Sequence, residues 1–87
     1  MEEVVPEDSE GEMLCPKIPI VQGAPGSKEI ADTVTRALSS SKVVIARGHG
    51  TFAAGRTLDE AYVYTSLAEH SCRVLILKRS LFQQTPE

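Results

Sequence analysis

Between residues 24 and 41 the chain reads APGSKEIADTVTRALSSS, and its apolar positions recur with helical spacing. Ile30, Ala31, Val34, Ala37 and Leu38 follow the i, i+4, i+7, i+8 rhythm of one helix face. Lys28, Asp32, Thr35 and Arg36 fall largely on the other side. Pro25-Gly26 marks a turn and Ser27 is a good N-cap, so the stretch predicts an amphipathic helix of about three turns that ends in the serine run. The next run, KVVIA at 42–46, does not alternate, as expected of a strand buried on both faces. A glycine turn follows, and TFAAG at 51–55 predicts another strand.

Thr57 and Glu60 have the T-x-x-E spacing of a capping box, in which each end residue satisfies a backbone donor of the other. A long helix should start there. Leu58, Ala61, Tyr62, Thr65, Ala68, Cys72, Leu75 and Ile76 form one stripe along it. Val63, Leu67 and Val74 form a second, which leaves only a narrow polar face. Upstream, MEEVVPEDSEGE is acidic and has little to pack beyond Val4 and Val5, so a loose edge segment or short strand is expected. CPKIPIVQG carries β-branched Ile18, Ile20 and Val21 but is interrupted by Pro16 and Pro19, which predicts a short edge strand.

The chain thus divides into an acidic edge segment (1–15), a body (16–78) and a frayed tail, RSLFQQTPE (79–87). The order strand, helix, strand, strand, long helix is α/β, with too few strands for a complete sheet. The apolar arc of the last helix is wider than one short sheet can cover. Burying one Leu-sized side chain is worth roughly 1.5–3 kcal/mol, so leaving several wet is serious for a small domain. The pattern calls for a partner surface, either a second copy or another polypeptide.

Composition narrows the function classes. Eighty-seven residues make one domain at most, burying roughly 60–65% of the surface its unfolded form exposes. Net charge is −3, and KRS near the end is too small to be the basic patch that nucleic acid needs. No apolar run approaches a membrane span. Cys15 and Cys72 lie far apart with no signal peptide before them, which suits two reduced thiols in a cytoplasmic protein.

The chemical candidates are few. His49 lies between Gly48 and Gly50 at the end of a buried-type strand, where sheet proteins place functional groups. The glycines allow close approach of a ligand to the backbone, and neutral imidazole is a common metal ligand. On spacing alone, however, a single turn histidine is more often structural or exposed. A metal site needs three or four ligands, and His70 lies on the semi-polar side of the long helix with no H-x-H or cysteine cluster nearby. GHGTFAAG lacks the lysine of a phosphate loop and runs into a strand, not a helix. Tyr62 reads as core packing, Tyr64 as a surface or interface residue, and the acidic runs as solvated.

The block VVIARGHGTFAAGRTLDEAYVYTSLAEHSCRVL resembles the class II aldolase/adducin-head family, particularly its fuculose-phosphate aldolase type. The likeness rests on the strand Val43 to Ala46, the turn His49-Gly50, Gly55, Leu58, Glu60-Ala61 and then Leu67 with Glu69. Upstream, IPIVQGAPGSKEIADTVTRAL is similar to the family's I-P-V strand and P-G-S capped helix. The resemblance implies part of a three-layer α/β/α sandwich on a mixed sheet, assembled as a homo-oligomer with active sites between subunits. It also implies zinc, held by three histidines of which His49 would be one. The metal would act as a Lewis acid on the enediolate formed when a ketose phosphate is split.

Gly48 departs from the asparagine the family usually has before this histidine. The family's H-x-H pair, catalytic acid and phosphate-binding loops all lie N-terminal to the matched region. The expectation is therefore the C-terminal portion of a zinc-dependent aldolase-like lyase. It would be inactive alone and supply His49 to a site completed by missing N-terminal sequence or a partner chain, with a sugar phosphate as substrate. Two alternatives stand beside it: a non-catalytic interaction or oligomerisation module of the adducin-head type, and a related sugar-phosphate epimerase or dehydratase.

Overall fold

The unbroken apolar run forms the strand it predicts. In the computed structural model, which describes residues 2–84, Val43, Val44 and Ala46 are buried and Ile45 is half-buried. The elements run β1 (Glu2–Val4), α1 (Ser9–Leu14), β2 (Ile18–Val21), α2 (Lys28–Leu38), β3 (Val43–Ala46), β4 (Gly50–Ala53) and α3 (Leu58–Gln84). The sheet order is β1-β2-β3-β4. β2 and β3 are parallel, while β1 and β4 flank them antiparallel. This is the expected mixed-sheet α/β fold with a long final helix.

Because side chains alternate along a strand, β3 feeds two cores. Val44 and Ala46 pack with Val21 of β2 and with Ile30, Val34 and Ala37 of α2. Val43 turns to the opposite face and joins Ile18, Cys15 and Ala68 of α3, with Ile45 and Leu67 against them. The layers are therefore α2, sheet, and α3 with α1. The Ser27 Oγ accepts from the Ile30 amide at 3.1 Å, the N-cap its position suggests. Ala31, expected on the apolar face of α2, is exposed because it falls just outside the arc of Ile30, Val34 and Ala37.

Four expectations need correction. β2 is interior, not an edge strand: Pro19 stands opposite Glu3 in the antiparallel ladder to β1, and the parallel ladder to β3 runs through Ile20 and Val21 beyond it. The acidic segment holds β1 at the sheet edge but also a helix, α1, that its composition does not announce. α3 continues as helix through Gln84, so residues 79–84 of the expected frayed tail are helical, while 85–87 lie outside the described residues. The two tyrosines are exchanged. Tyr64 precedes Ala68 by four residues, shares its face and is half-buried; Tyr62 is 72% exposed.

The capping box closes by half. Thr57 Oγ1 accepts from the Glu60 amide at 3.1 Å, but the Glu60 carboxylate reaches past Thr57 to the Arg56 amide at 2.8 Å. That bond, with the Arg56 guanidinium beside it, holds the Glu60 carboxyl below its ordinary range.

Candidate functional site

The two parallel strands end at the same rim of the sheet, and the loops beyond them meet there. In open α/β sheets the crevice outside the carboxyl ends of parallel strands is where ligands bind. β3 leaves this rim through Arg47-Gly48-His49. The His49 amide donates to the Ala46 carbonyl at 2.9 Å, closing a turn with Gly48 at φ +79° in its third position. Arg47 keeps a negative φ, so the combination is that of a type II turn, which needs glycine at that place. The Arg47 amide donates to the Val21 carbonyl of β2 at 2.8 Å, which pins the turn to its neighbour strand. Across β2, the Arg47 guanidinium pairs with the Glu2 carboxylate of β1.

His49 is exposed on this turn, and its Nε2 lies 3.1 Å from the carbonyl oxygen of Gly23 in the loop after β2. A Cβ placed at Gly48 or Gly50 would meet nothing within 4 Å, so the turn opens onto free space. Beside it, an open cavity of about 580 Å³ is lined by Glu2, Ile20, Gln22, Thr33 and Arg47. A single imidazole with room around it fits one ligand of a metal ion. The remaining ligands are not at this rim among the described residues.

One group of three ligand-type side chains does come together, at the other helix layer. Ligand atoms of Asp8, Glu10 and His70 lie within 4.8 Å of one another. Much of this cluster is explained by folding. Asp8 is the N-cap of α1 and accepts from the Gly11 amide at 2.9 Å. The fully buried Ser71 hydroxyl stands beside it and, with the Gly11 amide and His70, holds its carboxyl below the ordinary 3.8. Neither Ser71 Oγ nor Asp8 Oδ1 closes a hydrogen bond of ordinary geometry. The cluster also sits at the positive end of a helix, which disfavours a cation.

The model of the Class II Aldolase and Adducin N-terminal domain family matches residues 1–76. The chain belongs to this family. The crystal structure of L-fuculose-1-phosphate aldolase from Thermus thermophilus matches with a TM-score of 0.93 at 27% identity, covering 100% of this chain and 49% of that one. The chain thus spans about half the length of that enzyme. A comparison with curated proteins finds no match.

Of the residues singled out in the sequence, His49 stands at the rim where β2 and β3 end, while His70 and both tyrosines belong to α3 on another layer. Gly23, Arg47 and Glu2 are the site residues that reading the sequence misses. Only Gly23 has a local signal, through the APGS turn that follows it. The Glu2–Arg47 pair has none, since the sheet alone brings the two together. Among the described residues, no helix is long and apolar enough to cross a membrane.

Proposed function

We propose that this chain is the C-terminal portion of a zinc-dependent class II aldolase-like lyase of the cytoplasm, acting on a sugar phosphate by retro-aldol cleavage. Class II aldolases typically depend on a metal. His49 is the residue of this chain that would hold it. When bound, zinc supplies a Lewis acid for the negative charge that develops as the carbon–carbon bond breaks. The chain's own part is to hold the imidazole on a rigid glycine turn at the strand rim, with open space for ion and substrate. The observation that carries this reading is the placement of His49 in a fold that follows half of a fuculose-phosphate aldolase.

The rest of the site would come from N-terminal sequence outside this chain, or from a partner chain in a homo-oligomer. Zinc titration tests the reading. The chain should bind zinc weakly, and His49→Ala should abolish that binding. Tight stoichiometric zinc that survives His49→Ala but is lost in His70→Ala would move the metal to the Asp8 cluster and overturn it.

One observation favours a second reading. The last third of α3 exposes Ile76, Leu77 and Phe82 at 63–68%, and Ile76 and Phe82 line a groove of about 790 Å³ with Val4, Cys72 and Leu75, edged by Glu7, Lys78 and Arg79. An apolar surface of this kind suits an interaction module of the adducin-head type. Self-association that persists while neither zinc nor a sugar phosphate binds would select that reading over the lyase.

A further inference from the structure

The side of α3 turned away from the buried Ala68 and Ser71 carries a stripe of its own at three- and four-residue spacing. Leu58, Tyr62 and Val63 stand at one end of it and Ile76, Leu77 and Leu81 at the other, all 50–89% exposed. Between them the stripe is polar, with Ser66, Glu69, His70 and Arg73 exposed. Its first half is also concave: Tyr62, Val63, Ser66 and His70, with Glu10 of α1, line an open groove of about 380 Å³. One helix thus presents an apolar, polar, apolar face about 35 Å long, at 1.5 Å per residue.

The order of residues on this face is its own complement. With a second copy turned end for end about an axis between Glu69 and His70, Leu58 meets the partner's Leu81, Tyr62 the partner's Leu77 and Val63 the partner's Ile76. In the middle, Ser66 meets the partner's Arg73 and Glu69 the partner's His70, so polar groups face polar groups. The flanking charges agree. Asp59 and Glu10 lie beside the first end, Lys78 and Arg79 beside the last, and end-for-end pairing brings opposite signs together. A slip of one turn loses the match, setting Tyr62 against Arg73 and Ile76 against Asp59. A parallel pair in register keeps apolar on apolar but sets Glu69 on Glu69 and Arg73 on Arg73. Self-complementarity under a two-fold axis is what a symmetric dimer requires. We propose that α3 is a homodimerisation helix that pairs antiparallel with α3 of a second copy. The proposal rests on the interaction reading above and gives that surface an occupant. The strip is only about 10 Å wide, against the roughly 800 Å² per partner of a stable interface, so the dimer should form reversibly.

Sedimentation of the full chain without added metal, from about 5 μM to 1 mM, tests this. The mass should rise from one chain to two, and a chain that stays monomeric throughout would overturn both the proposal and the interaction reading. Val63→Glu and Ile76→Lys change residues exposed in the single chain, so helix content by circular dichroism should hold while each weakens the dimer about tenfold or more. Combined in one chain, they set the new carboxylate against the new ammonium of the other copy, and the double variant should bind more tightly than either single one. In a parallel pair the same charges would face themselves, so losses that add would overturn the antiparallel register. Phe52→Ser, on β4, should leave association unchanged. A dimer that ignores both α3 substitutions, or is broken by Phe52→Ser, would overturn the proposal and leave the interaction reading standing.

Discussion

The two helix layers on the sheet solve the same problem unequally. α2 is 11 residues long, about 16 Å, and covers strands of four residues that span about 13 Å. Its apolar side chains are few, and the three that form its inward arc, Ile30, Val34 and Ala37, are buried. α3 is 27 residues long, about 40 Å, so it outruns the sheet it packs on. Ala68 and Ser71 are its buried contacts, and from Ile76 to Phe82 every side chain is exposed. One layer is closed within the chain and the other is not. The difference locates where the chain covers its own apolar side chains and where it leaves them exposed.

The closed layer should be the more sensitive to truncation. Ile30→Ala removes a buried anchor of α2 that also seats Gly23, and should cost about 2–5 kcal/mol. Denaturant unfolding gives the value. A loss under about 1 kcal/mol would mean that this layer is loosely packed, and would remove the distinction between the two. Gly11→Ala tests the closed part of the other layer. A Cβ at Gly11 would overlap Ser71 Oγ and Pro6 Cβ, and Pro6 is itself fully buried and cannot turn aside. Overpacking of this kind costs about 1–3 kcal/mol. A neutral result would show that α1 rides on α3 with slack.

Most of α2 and β3 is legible in the sequence because each carries its burial in a local period. Ile30, Val34 and Ala37 repeat at helical spacing, and VVIA is apolar throughout. α3 is legible as a helix but not in its orientation. When nearly every face is apolar, the period cannot say which one meets the sheet, so the burial of Tyr64 and Ser71 and the exposure of Tyr62 are set by tertiary packing. α1 buries only Gly11 and so leaves no apolar stripe; its signal is the capping Asp8 with Glu10 and Glu12 in the first turn. At the site, the glycine turn and His49 can be read directly. The Gly23 acceptor and the Glu2–Arg47 pair cannot, because both depend on strands being placed side by side.

Asp8 allows the junction of α1 and α3 to be probed by pH. Asp8→Ala removes the cap and should cost about 0.5–2 kcal/mol at neutral pH. The Asp8 carboxyl is held below its ordinary 3.8, chiefly by the Ser71 hydroxyl, so the folded state binds its proton less readily than the unfolded state. The sign follows. Its charge stabilises the fold above that ordinary value, and the contribution is lost as pH falls through the lowered one. Wild type and Asp8→Ala should therefore converge in acid, as urea unfolding at a series of pH values would show. A gap that stays constant would mean the cap does not act through the ionised carboxylate.

The smallest effect is expected where the layer is open. Ile76 is 65% exposed, so Ile76→Ala in the isolated chain should change stability by no more than about 0.5 kcal/mol, although a buried isoleucine would cost several times that. The same substitution should matter once the surface is covered. If the chain self-associates or joins a complementary half, Ile76→Ala and Phe82→Ala should weaken the assembly while leaving the Ile30 layer intact. Light scattering with unfolding measured at high and low concentration separates the two effects. A large cost at low concentration, where the chain is alone, would show that the end of α3 already folds back onto its own body.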